Sequence, residues 1–447
     1  MGAVGESGRG TAPGAKSAFD AHHPPARELI DKCVHCGFCL PVCPTYVLWH
    51  EEMDSPRGRI YLMRMAADGA AGMNDKWVGH LDSCLGCMAC MPACPSGVDY
   101  GKLIEATRAQ IERNYPRSAA DRMFRRMIFS TFTNPGRLRA LLLPVKVYQK
   151  MGLQALARKT GLLKLLPKRL RSMESLLPKQ EKKEAVAEVT PAQGAQRHRV
   201  GMLTGCVQSV FFPHVNAATA RVLAAEGCEV VAPLGQSCCG ALLVHAGEEE
   251  QAQAMARRTI DVFENAKVDT VIVNAAGCGS TMKEYGHLLR DDPQYAARAR
   301  EFAAKCRDVS EFLAAIEPRA PRNPLHIRVA YHDACHLQHA QGVRSQPRAL
   351  LSRIPQIELV EIPEPAVCCG SAGIYNLVQA DTAAELGDRK AGNIAALKPD
   401  AVASGNPGCL LQLRTALERA GKSVPVLHTI ELLDASIRAS TPKSLLG

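Results

Sequence analysis

Two identical cysteine motifs limit the possible folds of this chain more than any other feature. Each has the spacing C-x2-C-x2-C-x3-C-P, and they occupy residues 33–44 and 84–95. Three thiolates separated by two residues can bind three irons of one [4Fe-4S] cubane, whereas the fourth cysteine lies too far along the chain and binds the other cluster. The spacing therefore predicts two clusters, each held by cysteines from both motifs.

The predicted ligands follow from this crossed arrangement. The first cluster is assigned to Cys33, Cys36, Cys39 and Cys94, and the second to Cys84, Cys87, Cys90 and Cys43. Zinc sites also use C-x-x-C pairs, but eight cysteines in two identical blocks favour iron and sulfide. The long insert between the motifs has core-like apolar positions and is expected to fold as helices around the clusters.

Three charged or titratable residues near the first motif could act on the clusters. His35 lies inside the motif, and because each cubane already has four thiolates we expect it to be structural or to tune the potential. Arg57 and Arg59 either compensate the negative cluster charge or dock an acidic partner, or they simply begin a solvated helix. The sequence leaves these alternatives open.

A second cysteine pattern occurs twice in the rest of the chain. Its members are Cys206, Cys238, Cys239 and Cys278, which recur as Cys335, Cys368, Cys369 and Cys409 at offsets of 129 to 131 residues. Such constant offsets indicate two copies of one domain. Apolar runs at 200–203, 270–273, 327–331 and 401–403 predict short strands, and helical patterns at 216–226, 248–265 and 381–397 alternate with them. Each copy should be a small α/β domain.

Adjacent cysteines followed by glycine are typical of a metal site. Gly240 and Gly370 permit a backbone conformation that lets neighbouring thiolates converge, and Gly277 and Gly408 are expected to do the same. Four cysteines per repeat suit an iron-sulfur cluster or structural zinc, and the sequence does not decide between them.

Other cysteines and histidines of the repeats are given no metal-binding role. Cys228 and Cys306 have no counterpart in the other repeat and are interpreted as core or surface thiols. Packing or hydrogen-bonding roles are favoured for His332 and His336, which flank Cys335.

The charge of the chain is unevenly distributed. Its net charge is +10, yet residues 113–183 hold 18 Lys and Arg against three acidic residues, a net +15. Apolar residues in this segment follow helical spacing, so it is predicted to be a basic amphipathic stretch that rests on an anionic membrane or an acidic partner, or else a solvated linker. Its Lys, Glu and Ala-rich end, residues 179–197, is interpreted as a linker.

These patterns give a multidomain α+β chain. We predict a disordered tail at 1–25, a helical domain with two [4Fe-4S] clusters of ferredoxin type at 26–115, the basic segment and linker at 116–197, and the two repeats at 198–318 and 326–437. No secretory signal or run of about 18 apolar residues occurs, so we expect a reducing cytoplasmic location with at most peripheral membrane contact. Without a G-x-G-x-x-G fingerprint or P-loop, we expect no flavin on this chain and no catalytic residue.

From about residue 28 to residue 437 the chain resembles the iron-sulfur subunit of bacterial glycolate oxidase (glycolate dehydrogenase). The resemblance rests on residues 33–39, 43–46, 55–62, 275–279, 283–286 and 337–341. It implies a complex in which FAD-binding subunits oxidise glycolate to glyoxylate and this chain passes electrons toward a quinone. A purely electron-conducting role would agree with the missing nucleotide motifs.

Alternatives remain within and outside this class. The related iron-sulfur subunits for D-lactate or anaerobic glycerol-3-phosphate oxidation, and heterodisulfide reductases, share the same modules. Ala275 and Asn406 replace a cysteine of the heterodisulfide reductase motif, which argues against its noncubane cluster. A zinc-containing nucleic-acid-binding protein is the alternative from another class, since a basic segment lies beside the cysteine clusters, but the ferredoxin spacing disfavours it.

Overall fold

The computed structural model describes residues 16–177 and 184–446. The chain divides into two compact units, one formed by residues 1–86 and 90–117 and the other by residues 87–89 and 118–447. Helices and strands are combined as the sequence predicts for a multidomain α+β chain. Most of the predicted disordered tail, residues 1–15, and part of the predicted linker, residues 178–183, lie outside the described residues.

The first unit is helical, which confirms the prediction for the insert between the two motifs. Its helices are α1 (Arg27–Asp31), α2 (Pro44–Trp49), α3 (Pro56–Ala67), α4 (Asp75–Asp82) and α5 (Tyr100–Asn114), with a 3-10 turn at Glu52–Asp54. Side chains set the helix starts: Ser55 accepts a hydrogen bond from the Gly58 amide at the start of α3, and Asp99 accepts one from the Lys102 amide at the start of α5. Such N-caps satisfy amides that have no partner within the helix.

The described end of the predicted tail is packed rather than detached. Phe19 is buried, and its ring lies 6.1 Å from that of Trp77. Asp20 forms an ion pair with Arg113 on α5, with 3.0 Å between Oδ2 and Nε. The tail boundary predicted at residue 25 is therefore wrong for residues 16–25, because the apolar side chain and the ion pair hold this stretch in place.

The basic segment forms four helices at the start of the second unit. They are α6 (Ala119–Phe132), α7 (Pro135–Lys150), α8 (Leu153–Lys159) and α9 (Lys168–Ser175), with a 3-10 turn at Leu162–Leu165. Many large apolar side chains of this segment are exposed, namely Met123, Met127, Leu141, Leu143, Val147, Met151, Leu153, Leu156, Leu162, Leu165, Leu166 and Leu170. We call this set the exposed apolar surface of the basic segment.

The first repeat contains a five-stranded sheet. Its strands are β1 (Val189–Thr190), β2 (His198–Met202), β3 (Cys228–Val231), β4 (Thr270–Val273) and β5 (Cys306–Asp308), in the order β1-β3-β2-β4-β5 with only β1 antiparallel. Its helices are α10 (Gln208–Phe211), α11 (Pro213–Ala225), α12 (Ala241–Val244), α13 (Glu249–Asn265), α14 (Ala276–Lys283), α15 (Tyr285–Leu288), α16 (Ala296–Lys305) and α17 (Val309–Ala315). Because β1 extends this sheet, the linker predicted up to residue 197 already contributes structure at residues 189–190.

The second repeat has the same topology. Its parallel strands are β6 (Ile327–Tyr331), β7 (Ile357–Glu361), β8 (Ala401–Ser404) and β9 (Val426–His428), in the order β7-β6-β8-β9. Its helices are α18 (Ser345–Ser352), α19 (Tyr375–Val378), α20 (Ala380–Ala396), α21 (Pro407–Arg419), α22 (Thr429–Ile437) and α23 (Pro442–Leu446), with a π-helix at His336–Ala340. The order matches β3-β2-β4-β5 of the first repeat, so the predicted duplication is confirmed.

The two repeats share one hydrophobic core. Buried residues from β2 of the first repeat and β8 of the second belong to the same apolar cluster. Arg221 on α11 forms an ion pair with Asp434 on α22, with 2.7 Å between Nη2 and Oδ2. His428 Nε2 lies 2.9 Å from the carbonyl oxygen of Asn274. The repeats are therefore held face to face.

In the first sheet the strand order reverses beside β2, and in the second sheet it reverses beside β6. Ligands of open parallel sheets bind outside the carboxyl ends of the strands at such a point. Cys206 follows β2 and Cys278 follows β4, just as Cys335 follows β6 and Cys409 follows β8. Among the described residues, no helix combines the length and the apolar character needed to cross a membrane.

Candidate metal centres

The cysteines assigned to the first cluster surround a small cavity in the first unit. Its volume is about 30 Å³, and its lining includes Cys33, Cys36, Cys39 and Cys94. Cys90, assigned to the second cluster, also reaches this lining. Burial raises the pKa of Cys33, and the neighbouring Cys94 and Cys36 add to the shift, which reflects how close these thiols lie. The two motifs are thus brought together as their crossed spacing requires.

An arginine secures the loop of the first motif. Arg57 Nη1 donates a hydrogen bond of 2.9 Å to the carbonyl of His35, whose φ is +54°. Gly37 follows with φ +88°, and a Cβ there would lie 2.9 Å from Arg57 Nη1. The same guanidinium pairs with Glu52 at 2.6 Å. His35 and Arg57 therefore shape the loop that carries the first cluster's cysteines.

A buried arginine lies beside cysteines assigned to the second cluster. Arg59 is 1% exposed, and its Nη1 lies 4.0 Å from the Cys43 sulfur. Its Nη2 binds the Asp54 carboxylate at 3.2 Å and the Ser83 hydroxyl at 2.8 Å. The interpretation of Arg59 as part of a solvated helix start is wrong, because α3 turns it inward and these neighbours accept its hydrogen bonds.

Hydrogen bonds and charge favour a thiolate at Cys84. The Tyr100 hydroxyl donates to Cys84 Sγ at 3.5 Å, and the Gly86 amide donates at 3.4 Å. Burial alone would raise the pKa of Cys84, but Arg59 and Arg108 outweigh it and the net shift is downward. A cysteine that ionises while buried suits a metal ligand, since metals bind the thiolate.

In each repeat the four predicted cysteines come together. The Sγ atoms of Cys206 and Cys238 are 3.4 Å apart, and those of Cys335 and Cys368 are 3.5 Å apart. Cys239 adjoins Cys278 and Cys206, and Cys369 adjoins Cys409 and Cys335. The sequence predicts these two groupings.

The two cysteine sets face a single cavity, which the sequence does not predict. The cavity has a volume of about 430 Å³ and is lined by cysteines of both repeats. These are Cys206, Cys238, Cys239, Cys278, Cys335, Cys368 and Cys409. We call it the inter-repeat cavity.

The glycines of the repeats have two different roles. Gly240 and Gly370 have φ of +86° and +89°, as predicted, and a Cβ on Gly370 would lie 2.5 Å from the Ala383 carbonyl oxygen. Gly277 and Gly408 do not have positive φ, so the prediction for them is wrong: both lie in the first turns of helices. Gly408 is instead required by space, because a Cβ would lie 2.5 Å from Ser371 Oγ.

The second repeat places polar groups around its cysteines. One nitrogen of His332 lies within 4.8 Å of the sulfurs of Cys369 and Cys409. Asn406 Nδ2 donates to Cys409 Sγ at 3.4 Å. Lys390 is buried, and its Nζ donates to the Glu364 carbonyl at 2.7 Å. His332 is therefore a further candidate donor, contrary to the packing role that the sequence favours, and its position directly after β6 was the available signal.

The donor sets fit an iron-sulfur cluster or another thiophilic metal. Hydrogen bonding to Cys238, together with burial, raises the pKa of Cys206 well above its usual range, and Cys368 has the same effect on Cys335. Crowded thiols of this kind ionise only when a cation offsets their charge. The unmatched Cys228 and Cys306 are fully buried in the core.

Three family profiles match the chain. The 4Fe-4S dicluster domain matches residues 32–98, and the linker region of the glycolate oxidase iron-sulfur subunit matches residues 120–177. The cysteine-rich domain matches twice, at residues 200–283 and 329–414. The matches cover both motifs, the basic segment and both repeats.

Similar proteins extend over nearly the whole chain. The protein named probable glycolate oxidase iron-sulfur subunit from Bacillus subtilis is 40% identical over 415 residues, which cover 91% of this chain and 93% of that protein. The glycolate oxidase iron-sulfur subunit of Escherichia coli is 34% identical, with coverage of 92% and 95%. One of the subunits of a fumarate reductase (CoM/CoB) from Methanothermobacter marburgensis is 37% identical over 53% of this chain and 46% of its own length.

The dicluster domain and the paired cysteine-rich domains define an iron-sulfur protein suited to electron transfer. Clusters of this kind are held by cysteine thiolates, which the two motifs of the dicluster domain supply. Within that class, the chain belongs to the family of glycolate oxidase iron-sulfur subunits.

Proposed function

We propose that the chain conducts electrons from FAD-binding partner subunits, which oxidise glycolate to glyoxylate, toward a quinone-type acceptor. The observation that carries the proposal is the set of four cysteine groups, two supplied by the motifs at 33–43 and 84–94 and two facing the inter-repeat cavity. When bound, [4Fe-4S] clusters accept and release single electrons. The chain supplies the cysteine thiolates, donates hydrogen bonds to them and shields the buried ones from water.

The first motif is the proposed place where electrons enter. Cys36 is exposed, whereas Cys84 and Cys43 are buried. The apolar side chains of Val34 and Phe38, on either side of Cys36, are 67% and 66% exposed. Adjoining exposed apolar side chains can form part of a protein contact when they belong to a contiguous patch. A flavin subunit docked here would come close to the cysteines assigned to the first cluster.

The basic segment is the proposed membrane contact. It combines a net charge of +15 over residues 113–183 with the exposed apolar surface defined above. Leu143 and Val147 on α7 and Met151 directly after its end repeat every four residues, with Lys146 and Lys150 between them. Peripheral helices bind membranes by inserting apolar side chains and by attracting anionic headgroups. The attraction is worth about 1 kcal/mol per well-placed cation. We propose association with the inner face of the cell membrane.

Glycolate oxidation is tested with the purified chain and its flavin partners. The chain alone should not reduce a dye with glycolate, since its sequence has no G-x-G-x-x-G fingerprint for a flavin, whereas the clusters should bleach when glycolate is added to the complex. Dithionite bleaching of the isolated chain serves as the control for intact clusters. Glycolate-dependent dye reduction by the isolated chain would disprove the division of labour.

A second candidate substrate is lactate, because proteins named lactate utilization protein A match about half of the chain. The example from Geobacillus kaustophilus is 30% identical over 53% of this chain and 99% of its own length. Comparing kcat/KM of the complex for glycolate and for each enantiomer of lactate decides between the two substrates. A clear preference for lactate would replace the substrate while leaving the electron-transfer role intact.

Membrane association is tested with vesicles. Binding to vesicles of phosphatidylglycerol should weaken as salt rises, since charges are screened over about 8 Å at physiological ionic strength. Val147→Asp should weaken binding further, whereas Val189→Asp, which changes an exposed valine outside the segment, is the matched control. Vesicle binding that changes neither with salt nor in the Val147→Asp variant would contradict the proposal.

A further inference from the structure

The inter-repeat cavity has the size and lining of a ligand site. Its volume of about 430 Å³, which includes the space beside the cysteines where a bound cluster would lie, falls within the range of about 300–1,000 Å³ typical of small-molecule sites. Its lining combines cysteines of both repeats with apolar side chains from the basic segment, including Leu138, Leu142 and Val145 of α7 and Met173 of α9.

The polar groups in this lining suit an uncharged ligand. Among the described residues of the lining there is no Lys or Arg, so a carboxylate such as glycolate would lose its hydration without gaining a cation. His336 contributes a buried Nε2 that has no hydrogen-bond partner in the described structure. Its ring packs against that of His245, with the centroids 4.6 Å apart. A buried imidazole nitrogen without a partner favours a ligand that carries an oxygen atom to meet it.

We propose that the inter-repeat cavity binds the ring of a lipophilic quinone and is the place where electrons leave the chain. A quinone is flat and largely apolar, carries carbonyl oxygens that accept hydrogen bonds, and is reducible by neighbouring iron-sulfur centres. The apolar wall contacts its ring and His336 contacts one of its oxygens. This inference rests on the proposed function, which supplies the electrons.

Helix α7 gives the ligand a path from the membrane. Leu141 lines the cavity and is also 48% exposed, and the next exposed side chain, Leu143, belongs to the proposed membrane contact. The hydrocarbon tail of a quinone can therefore remain along α7 while the ring enters. The proposal connects the two otherwise separate apolar features of the basic segment.

The redox balance closes without another reactant. Oxidation of one glycolate to glyoxylate releases two electrons and two protons. The quinone takes up two electrons, one at a time, and two protons from water, and becomes a quinol. No bond to the protein forms or breaks.

The proposal is tested on the reconstituted full chain whose clusters have been reduced by dithionite and from which the excess dithionite has been removed, so that glycolate oxidation is not required. Leu142→Trp fills the cavity, and Leu234→Trp, at a leucine that is 74% exposed and lies outside both the cavity lining and the basic segment, is the matched control. We expect Leu142→Trp to weaken binding of decylubiquinone by at least about tenfold and to slow its reduction, while ferricyanide reduction and cluster absorbance stay unchanged. Leu234→Trp should leave the affinity as it is.

Equal quinone affinity in the two variants would overturn the proposal. A second measurement avoids dependence on the variants: a photoreactive azidoquinone should label the unchanged protein at residues that line the inter-repeat cavity, and excess decylubiquinone should prevent labelling. Labelling only outside this lining would equally overturn the proposal. If the reduced chain passes this test but glycolate never reduces the complex, the proposed function fails and the quinone site stands.

Discussion

Around the cysteines of the first repeat lie Leu203, Thr259 and Ala275, whereas the second repeat has His332, Lys390 and Asn406 at the equivalent places. The equivalence is structural: Gly240 packs on Ala252 as Gly370 packs on Ala383. Duplication thus preserved the thiols while their surroundings changed from mostly apolar to polar and cationic. Since hydrogen bonds and net charge set the potential of an iron-sulfur centre, the two sites should differ in potential, with the second the better electron acceptor.

The largest expected difference between the repeats is in their iron content, and removing the paired cysteines of each repeat in turn tests it. Two four-iron cubanes in the first unit account for eight iron atoms, and we expect the anaerobically reconstituted chain to exceed this number because at least one repeat holds a cluster. The variants Cys238→Ser with Cys239→Ser, and Cys368→Ser with Cys369→Ser, should show which repeat carries the excess iron and sulfide. Iron, zinc and acid-labile sulfide are measured in each.

Eight irons in all these proteins, with zinc lost only from the variants, would identify structural zinc instead. The absorbance of such a protein would then come from the two N-terminal clusters alone. In that case the comparison of potentials between the repeats would lose its basis.

The N-caps that follow the last strand of each sheet offer a comparison through pH. Asp308 caps α17 and His428 caps α22, each in a capping box. Burial raises the pKa of Asp308 from 3.8 to about 7 and lowers the pKa of His428 from 6.5 to about 4. An acid whose pKa is raised in the folded state contributes its full stability below pH 3.8, and this contribution is lost as pH rises through 7. A histidine whose pKa is lowered in the folded state contributes its full stability above pH 6.5, and this contribution is lost as pH falls through 4.

Substitution by asparagine should therefore change the pH dependence in opposite directions. Relative to the parent chain, Asp308→Asn should gain stability as pH rises from about 5 to 7, and His428→Asn should lose it, each by on the order of 2 kcal/mol. Chemical unfolding at both pH values measures the effect, and the difference between variants cancels any shared loss of clusters. Parallel pH profiles for the parent chain and both variants would contradict the assignment.

Lys390→Met should lower the potential of the second repeat's centre. Burial lowers the pKa of Lys390, but the nearby Cys369, Cys368 and Cys335 favour its charged form. Removing that charge should shift the midpoint potential by about 50–100 mV to more negative values, equivalent to about 1–2 kcal/mol. Redox titration followed by paramagnetic resonance measures the shift, and Thr259→Val in the first repeat is the matched control. An unchanged potential in Lys390→Met would show that the charge of Lys390 does not cause a difference in potential between the centres of the two repeats.

Asn406→Ala should have the smallest effect. It removes one hydrogen bond to Cys409 and gives the second repeat the residue that the first has at Ala275. A negative shift of a few tens of mV is expected, because one hydrogen bond to sulfur is worth about 0.5–1.5 kcal/mol. Ala275→Asn should shift the first repeat's centre in the opposite direction. Shifts of the same sign in both variants would argue against the comparison.

The sequence predicts local elements of the repeats well because their buried runs are short and bounded. The predicted strands at 270–273 and 327–331 coincide with β4 and β6, and the cysteine groupings follow from the repeat. The inter-repeat cavity could not be predicted, since it depends on how α7 and α9 pack against both cysteine sets. The proximity of His332 to Cys369 and Cys409 likewise arises only when β6 and β8 pair.

The buried Arg59 has a consequence for the biogenesis of the protein. Its guanidinium faces Cys43 and Cys84 and has Asp54 as its carboxylate partner. A chain that closed before receiving iron would enclose this cation with Asp54 as its partner but without the charge of a bound cluster, at a cost in desolvation. Closure of α3 over Cys43 and delivery of the second cluster therefore belong to one maturation step. In an iron-starved cell, newly made chains should accumulate with the first unit unclosed and sensitive to proteases.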